Sequence, residues 1–494
     1  MLGASRRTLR GYWWCEVPVG DLAGFGGVLG IRYNAWLSPI TGSVVLAWKW
    51  MLFVTMKVRV LATADIHIGR RPSRLASAET AARYSCAQMW FRIVERAIEL
   101  DVDLVALAGD VVDHENRFFE ATGPLEDGLI QLAEAGIPTY AVGGNHDFDV
   151  LPKIVDAVGS EWLHLVGRNG RWEETVVERD GEPILRIHGW SFPTATVASS
   201  PLDDYRLRAD DSLPTLGLLH ADLDARHSDY APVLREELLE CPVSAWILGH
   251  VHRPRWEPPR TGPGLLYTGS PQAMDPGETG PHGPWLIELR GPRRIGARQL
   301  AMSRVRYETV EVDLTGLSDR DELESHLTAS VGQYLADLGE ETEETIEQLS
   351  LRLILVGRTP LSAQLEVLTR PMVEQFERRY RGMTARVDKI SNETLPVIDL
   401  EELGEKHDPT GVLARALISL QSGDSSRETA DLIRKAQGQM LDVHAAPAYS
   451  GLRSDLPPDA EDVRRTLIRQ GRLLLDTLLA QRGVVGEADE LSFE

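Results

Sequence analysis

VRVLATADIHIG, residues 58–69, is an apolar run that ends in a polar pair, and that pair decides how the chain is built. Val58 to Ala62 reads as a strand. Asp65 and His67 follow two residues apart, so in extended backbone both side chains leave on one side. The layout recurs in LVALAGDVVD (104–113) and in TYAVGGNHD (139–147), where the strands Leu104 to Ala108 and Thr139 to Val142 also end in polar loops. Between these strands the apolar spacing predicts a helix from Glu79 to Leu100 and another ending near Gly136. Strand, polar loop, helix, strand is the order of layered α/β enzymes, whose ligand sites gather at strand ends.

After Asp149 the pattern becomes strand-rich. Trp172 to Glu178 and Ile184 to Ile187 flank an Asp180-Gly181 turn, and LPTLGLLH, SAWILGHVH, LLYTGS and PWLIEL follow. Several of these runs stop at a His or a Gly-Ser corner, which suggests two sheets packed face to face with helices outside. Near Pro292 the character changes. Tyr307 to Leu314, Glu322 to Leu338, Ser350 to Val356, Ala363 to Tyr380 and Thr384 to Ile390 read as β-α-β-α-β, and beyond Glu401 the pattern is helical, broken by QSGDSSRET and by the Pro-rich stretch from Ala445 to Pro458. The expected class is therefore α/β (α+β). A sandwich domain spans 56–292, a small α/β capping domain 303–400, and a helical tail 401–494.

With 494 residues, a prior of roughly 150 residues per domain suggests about three units. A hydrophobic share of 43% and a charged share of 26% are those of an ordinary globular protein. The net charge of −22 excludes a broad basic surface that grips nucleic acid by counterion release. Cys15, Cys86 and Cys241 are odd in number and far apart, so they form neither a disulfide framework nor a CxxC knuckle, and a reducing cytoplasm is the expected location. Residues 1–55 differ in character: five of the twelve tryptophans crowd there, without the apolar run of a signal peptide or a membrane span. Met56 followed by KVRVLATADIH makes a more natural start, so the segment reads as an over-extended gene start.

The chemistry lies in five motifs. Asp65 and His67 suit two ligands on one ion, and Asp110, at the end of its strand in GDVVD, offers a carboxylate that can bridge two cations. GGNHD supplies Asn145 as a neutral amide ligand and His146 as an imidazole free for proton transfer. His220 ends LPTLGLLH, and His250 and His252 end WILGHVH, the last two on one side of an extended segment. Each motif alone has a bland reading as a loop Asp, an Asx turn or a structural histidine. The whole set, two Asp, one Asn and four His without Cys, is a hard-to-borderline donor set that fits two divalent ions, Mn first, with Fe or Zn accommodated. Such a pair clamps a phosphate and activates a water, so phosphate-ester hydrolysis is the expected reaction.

In kind and order, DIHIG, GDVVD, GGNHD, LLH and GHVH resemble the calcineurin-like metallophosphoesterase superfamily, whose fold is a four-layer sandwich. The block YTGSPQAMDPGETGPHGPWLIEL (267–289) is similar to the segment after the last metal motif in SbcD-type DNA repair exonucleases and their YhaO-like bacterial relatives. That resemblance implies one metal on Asp65, His67, Asp110 and His252 and another on Asp110, Asn145, His220 and His250. It implies that His146 contacts the scissile phosphate and protonates the leaving 3′ oxygen. Archaeal and eukaryotic relatives carry His where this chain has Asp113, as its bacterial relatives do, and Asp113 is positioned to orient His146. The resemblance also implies DNA as substrate, an SbcC-like coiled-coil ATPase as partner, and a homodimer as a possible assembly, with no membrane association.

Arg70, Arg71 and Arg74 after the first motif, and Arg253 and Arg255 after the last, are candidate phosphate-backbone contacts or a solvated charge-balancing face. Val463, Leu467, Leu474 and Leu478 draw an apolar stripe at helical spacing, to be buried on the tail's own neighbours or on the ATPase. His188, His227, His282 and the run GEETEETIEQ match no ligand position and read as structural or surface residues. Two further classes stay open: a stand-alone phosphatase or cyclic-nucleotide phosphodiesterase, and a metal-stabilised scaffold without catalysis.

Overall fold

The computed structural model describes residues 57–490 other than 114–116, 160–162, 211, 226–227, 261, 339–345, 425 and 446–458. The tryptophan-rich segment 1–55, His227, most of the acidic run and the Pro-rich stretch of the tail lie outside the described residues.

The strands in chain order are β1 (Lys57–Thr63), β2 (Leu104–Ala108), β3 (Thr139–Val142), β4 (Leu163–Leu165), β5 (Glu173–Arg179), β6 (Glu182–Trp190), β7 (Thr215–His220), β8 (Asp222–Leu223), β9 (Pro232–Val233), β10 (Ala245–Gly249), β11 (Arg255–Glu257), β12 (Gly264–Tyr267), β13 (Trp285–Arg290) and β14 (Ile295–Gln299). Two six-stranded sheets result, in the orders β14-β13-β1-β2-β3-β4 and β11-β12-β10-β7-β6-β5. In the first, β1 to β4 run parallel, and in the second, β6, β7, β10 and β12 do.

Alternation along each strand sorts its side chains between two cores. Val58, Val60, Ala62, Leu104, Ala106 and Ala108 meet Ile187, Leu216, Leu218, Ala245 and Ile247 between the sheets. On the opposite face Leu61, Val105 and Leu107 pack against Trp90, Ile93, Leu125 and Leu129. These four come from the helices α2 (Cys86–Glu99) and α3 (Arg117–Glu134), which follow the short α1 (Ala78–Arg83). The layering of helix, sheet and sheet agrees with the expectation. The outer face of the second sheet carries Trp172, Tyr205 and Trp246 and the short helix Arg235–Glu240.

Three local readings need correction. The helix expected from Glu79 to Leu100 breaks at Tyr84 and Ser85, because Tyr84 turns away to bury its ring with Ala273, Val305 and Tyr307, and its hydroxyl donates to Glu347 Oε2 at 2.8 Å. After Asp149 a further helix precedes the strands: Leu151–Val158 buries Leu151, Ile154 and Val155 at helical spacing. Glu377–Tyr380, expected to be helical, is a strand that turns at Arg381-Gly382, both in the left-handed region, and pairs back on Met383–Asn392. The Asp180-Gly181 turn is as expected, with φ of 56° and 78° joining β5 to β6.

Beyond β14 lies a four-stranded sheet of Val305–Asp313, Gln348–Val356, Met383–Asn392 and Glu377–Tyr380, with the helices Arg320–Leu338 and Leu365–Gln375 packed on it. The helices Leu400–Gly404, Pro409–Ser422, Arg427–Ala445 and Ala460–Glu490 follow. The apolar stripe of the tail divides: Val463 is fully buried, as is Leu475 beside the stripe in a core with Ala414 and Leu417, Leu467 and Leu478 are half-buried, and Leu474 is exposed. Among the described residues no helix is long and apolar enough to cross a membrane.

One glycine of β7 tests this packing. A Cβ on Gly217 would lie 2.1 Å from the ring of Trp246 on β10, so Gly217→Ala must displace a buried indole. The expected loss is about 1–3 kcal/mol, read as a lower denaturant midpoint with unchanged slope.

Candidate metal centre

The C-terminal ends of β1, β2 and β3 face those of β7 and β10 across the sandwich. Reversing the chain there demands unusual backbone. Asp65, His67 and Asp110 sit at φ of 51°, 51° and 49°, and His250 at 90°, a region that side chains other than glycine seldom enter. Such strain persists only where surrounding bonds over-determine it. The bonds are present: Asp65 N–H donates to Gly109 O (3.0 Å), His67 N–H to Asp110 O (3.0 Å), His146 N–H to Asp110 Oδ1 (2.9 Å), and His250 N–H to both oxygens of Asp65 (3.0 and 3.1 Å). Glycine permits the approach, since a Cβ on Gly144 would stand 2.2 Å from Asp110 Oδ1.

Three imidazoles share one orientation. His67 Nδ1 lies 3.2 Å from Asp113 Oδ1, His220 Nδ1 3.0 Å from the Ala108 carbonyl, and His252 Nδ1 2.7 Å from Glu278 Oε1. An acceptor at Nδ1 places the proton there and leaves Nε2 with its lone pair, the tautomer of a metal ligand. The three Nε2 atoms then face other acceptors. His67 Nε2 is 3.2 Å from His252 Nε2 and 3.9 Å from Asp110 Oδ2, while His252 Nε2 is 4.0 Å from Asp65 Oδ1. His220 Nε2 is 3.0 Å from Asn145 Oδ1 and 3.3 Å from Asp110 Oδ2. Two ligand atoms about 2.1 Å from one ion stand roughly 3 to 3.4 Å apart. The closer of these pairs match that spacing, Asp65 belongs to both the His252 and the His220 cluster, and between them Asp110 Oδ2 faces His220 and, at 3.9 Å, His67.

Charges in the metal-free chain agree with this. Burial pushes the Asp65 carboxyl up, against the pull of His220, His252 and His67. At Asp110 burial also opposes ionisation, but His220, His67 and His146 outweigh it and hold the carboxyl well below the usual range. Burial disfavours a charged His220, yet Asp110 and Asp65 raise it to about 9. A cation at this point would replace the proton that His220 otherwise retains.

The structure places every residue read from the motifs at these strand ends, but not all in one role. His250 stands beside the second group, its ring 5.4 Å from that of His220 and 5.0 Å from that of Tyr230, outside the clusters Asp65-His67-His252, Asp65-Asp110-His220 and His67-Asp113-His146. Burial and the nearby His220 lower it to about 4. His146 is half-buried, with Asp113 Oδ1 3.4 Å from its Nδ1, an ionic contact rather than an aligned hydrogen bond. Asp113 thus stands behind both His67 and His146. Arg70 is half-buried and its charge is felt at Asp113 and His252, whereas Arg71 and Arg74 are exposed. Arg253 is exposed, and Arg255 is paired with Glu257 at 2.9 Å. His188, between Tyr205 and Glu174, and His282, on the Ser270 carbonyl, are structural.

Sequence reasoning missed two acids. Asp147, fully buried, accepts the N–H groups of Val111 (2.7 Å) and Gly144 (2.7 Å) and so ties the GDVVD loop to GGNHD. Burial and the charge of Asp110 raise it to about 7, against those backbone bonds. Glu278 orients His252 and also accepts from Ser270 Oγ (2.9 Å) and Met274 N–H (2.8 Å). Its place in the 267–289 block is the signal that pointed to it.

Residues 58–254 match the family described as calcineurin-like phosphoesterase, and residues 307–395 match the metallophosphoesterase YhaO middle domain. These two stretches are thus similar to a calcineurin-like phosphoesterase and to the YhaO middle domain, in that order along the chain. The chain is 27% identical to the uncharacterized metallophosphoesterase YhaO of Bacillus subtilis over 277 residues, which are 54% of this chain and 63% of that one. It is 24% identical to the DNA double-strand break repair protein Mre11 of Methanopyrus kandleri over 432 residues, 82% of this chain and 85% of the relative. The match to YhaO thus spans less than two thirds of that relative's length. Among solved structures, a dimetal phosphatase from Danio rerio aligns with 49% of this chain and 98% of its own, at 12% identity and a TM-score of 0.30.

The shared carboxylate makes a direct test. Asp110→Ala is expected to abolish uptake of both ions, whereas Asn145→Ala removes only the ion of the His220 group. Mn2+ stoichiometry by calorimetry on the full chain distinguishes the two, and full occupancy in Asp110→Ala contradicts the shared position.

Proposed function

We propose that this chain is a metal-dependent DNA nuclease, an exonuclease with endonuclease cutting also within its scope, that works in DNA repair beside an SbcC-like ATPase in the cytoplasm. The observation that carries the hydrolytic part is the pair of converging acceptor groups that share Asp110. The DNA part is supported by the match with the DNA double-strand break repair protein of Methanopyrus kandleri, which takes in 82% of this chain. Two divalent ions, when bound, supply Lewis-acid polarisation of the phosphate and a water of lowered pKa.

The chain's own residues divide the remaining work. Asp65, His67 and His252 hold one side of the centre, Asn145, His220 and the neighbouring His250 the other, and Asp110 joins them. The Asp113 carboxylate beside Nδ1 raises the pKa of His146, against the effect of burial. With Nδ1 toward Asp113, Nε2 is the atom that delivers a proton to the leaving 3′ oxygen. Arg70 stands behind the same loop as a cation for the neighbouring phosphate.

Purified chain with Mn2+ is offered end-labelled double- and single-stranded DNA beside p-nitrophenyl phosphate esters. Loss of full-length DNA is expected, and cleavage of monoesters with DNA untouched sinks the nuclease reading in favour of a phosphatase. His146→Ala is expected to keep both ions and lose about 10²–10⁴-fold in kcat. Loss of metal in that variant instead makes His146 a ligand.

A further inference from the structure

The middle domain reaches the loops of the metal centre at Tyr307. Tyr307, in the strand Val305–Asp313, is 1% exposed, and its hydroxyl donates to the Ser73 carbonyl at 2.5 Å and approaches the Met274 carbonyl at 3.4 Å. Ser73 N–H donates to the same Met274 carbonyl at 2.7 Å, so three groups close on one point. Met274 N–H in turn donates to Glu278 Oε2, and Glu278 Oε1 holds His252 Nδ1. The backbone joins the two segments again: Gly280 N–H donates to Tyr307 O at 3.2 Å, within a bridge between Thr279 and Tyr307. Loop 270–282 is thus held at one end by a metal-centre imidazole and at the other by the middle domain. The loop carrying Arg70 to Arg74 is fastened at Ser73 to the same hydroxyl.

We propose that Tyr307 is a positioning residue, through which the middle domain sets the orientation of Glu278 and so the affinity of the Asp65-His67-His252 group for its ion. The inference rests on the metal-centre reading above. The physical reason is leverage: an imidazole ligand binds well only when the acceptor at its far nitrogen is fixed, and loss of such a partner weakens metal affinity by about 10–100-fold. Glu278 is fixed by Ser270 Oγ and Met274 N–H, and the position of Met274 depends on Tyr307 and Ser73.

The test titrates Mn2+ alone into the metal-free full chain by calorimetry, without substrate. Glu278→Gln is expected to weaken one of two binding events by about 10–100-fold, and Tyr307→Phe, one bond further out, to weaken that same event by about 3–10-fold. Phe keeps the ring packed with Tyr84, Ala273 and Val305, and circular dichroism checks that the fold is retained. In the Glu278→Gln background, Tyr307→Phe is expected to add nothing, because its effect passes through that carboxylate. Tyr84→Phe breaks another bond to the middle domain, the one to Glu347, and is expected to leave both events unchanged. Equal binding by wild type and Tyr307→Phe overturns the clamp, as does a Tyr84→Phe defect of the same size, which reduces the effect to general loosening. A wild-type chain that takes up no Mn2+ overturns the metal-centre reading itself, and the clamp with it.

Discussion

Asp110 is the point on which the rest of the site depends. It sits in the left-handed region at the end of a fully buried strand, with one carboxylate oxygen receiving the His146 N–H and the other facing His220 and His67. A side chain so placed cannot rotate without breaking a bond or exposing a charge to an apolar core. Its neighbours are chosen accordingly. Gly144 leaves room for the carboxylate and Gly109 for the His220 ring, while Asp147 occupies the backbone donors beside it. A carboxylate fixed before any ion arrives suits a bridging position, because the entropy of ordering it is already spent in folding.

The surrounding layers turn that local constraint into an electrostatic one. Asp65, Asp110 and Asp147 are all buried within a few ångströms of shared partners, and like charges out of water repel strongly. Burial raises Asp65 and Asp147, and Asp110 and Asp65 push His220 up to about 9 against its own burial. Cations relieve the repulsion, so binding and folding favour each other in this sandwich. The parallel strands make the arrangement possible: β1, β2, β3, β7 and β10 all end on the same side of the sandwich.

Much of this was legible in the sequence, for a reason that particular residues show. Strands buried on both faces appear as unbroken apolar runs, and the polar residue that ends each run is conspicuous, so β1, β2, β3, β7 and β10 and their Asp, Asn and His residues could be read in order. The acids that support them could not. Asp147 and Glu278 matter through backbone N–H groups and an imidazole brought together by folding, and no local spacing encodes that. The break at Tyr84 escaped for the same reason: the helical period runs through it, and only the burial of its ring against Val305 and Tyr307 diverts the chain. The helix Leu151–Val158 carries its signal in Leu151, Ile154 and Val155, a stretch too short to stand out beside the strand-rich pattern that follows it.

The charge balance bears on how such a centre meets a polyanion. A chain of net charge −22 repels DNA over long range, and screening at physiological salt confines that repulsion to about 8 Å. Attraction then has to be local. Two divalent cations add four positive charges at the strand ends, and Arg70 adds another within reach of Asp113 and His252, while Arg71, Arg74 and Arg253 stand exposed around them. On the proposed nuclease reading, affinity for a phosphate comes from the centre and its local arginines rather than from a broad basic surface. Non-specific DNA elsewhere on the protein is disfavoured by the same acidity, and the phosphate that reaches the centre is the one the geometry is built to hold.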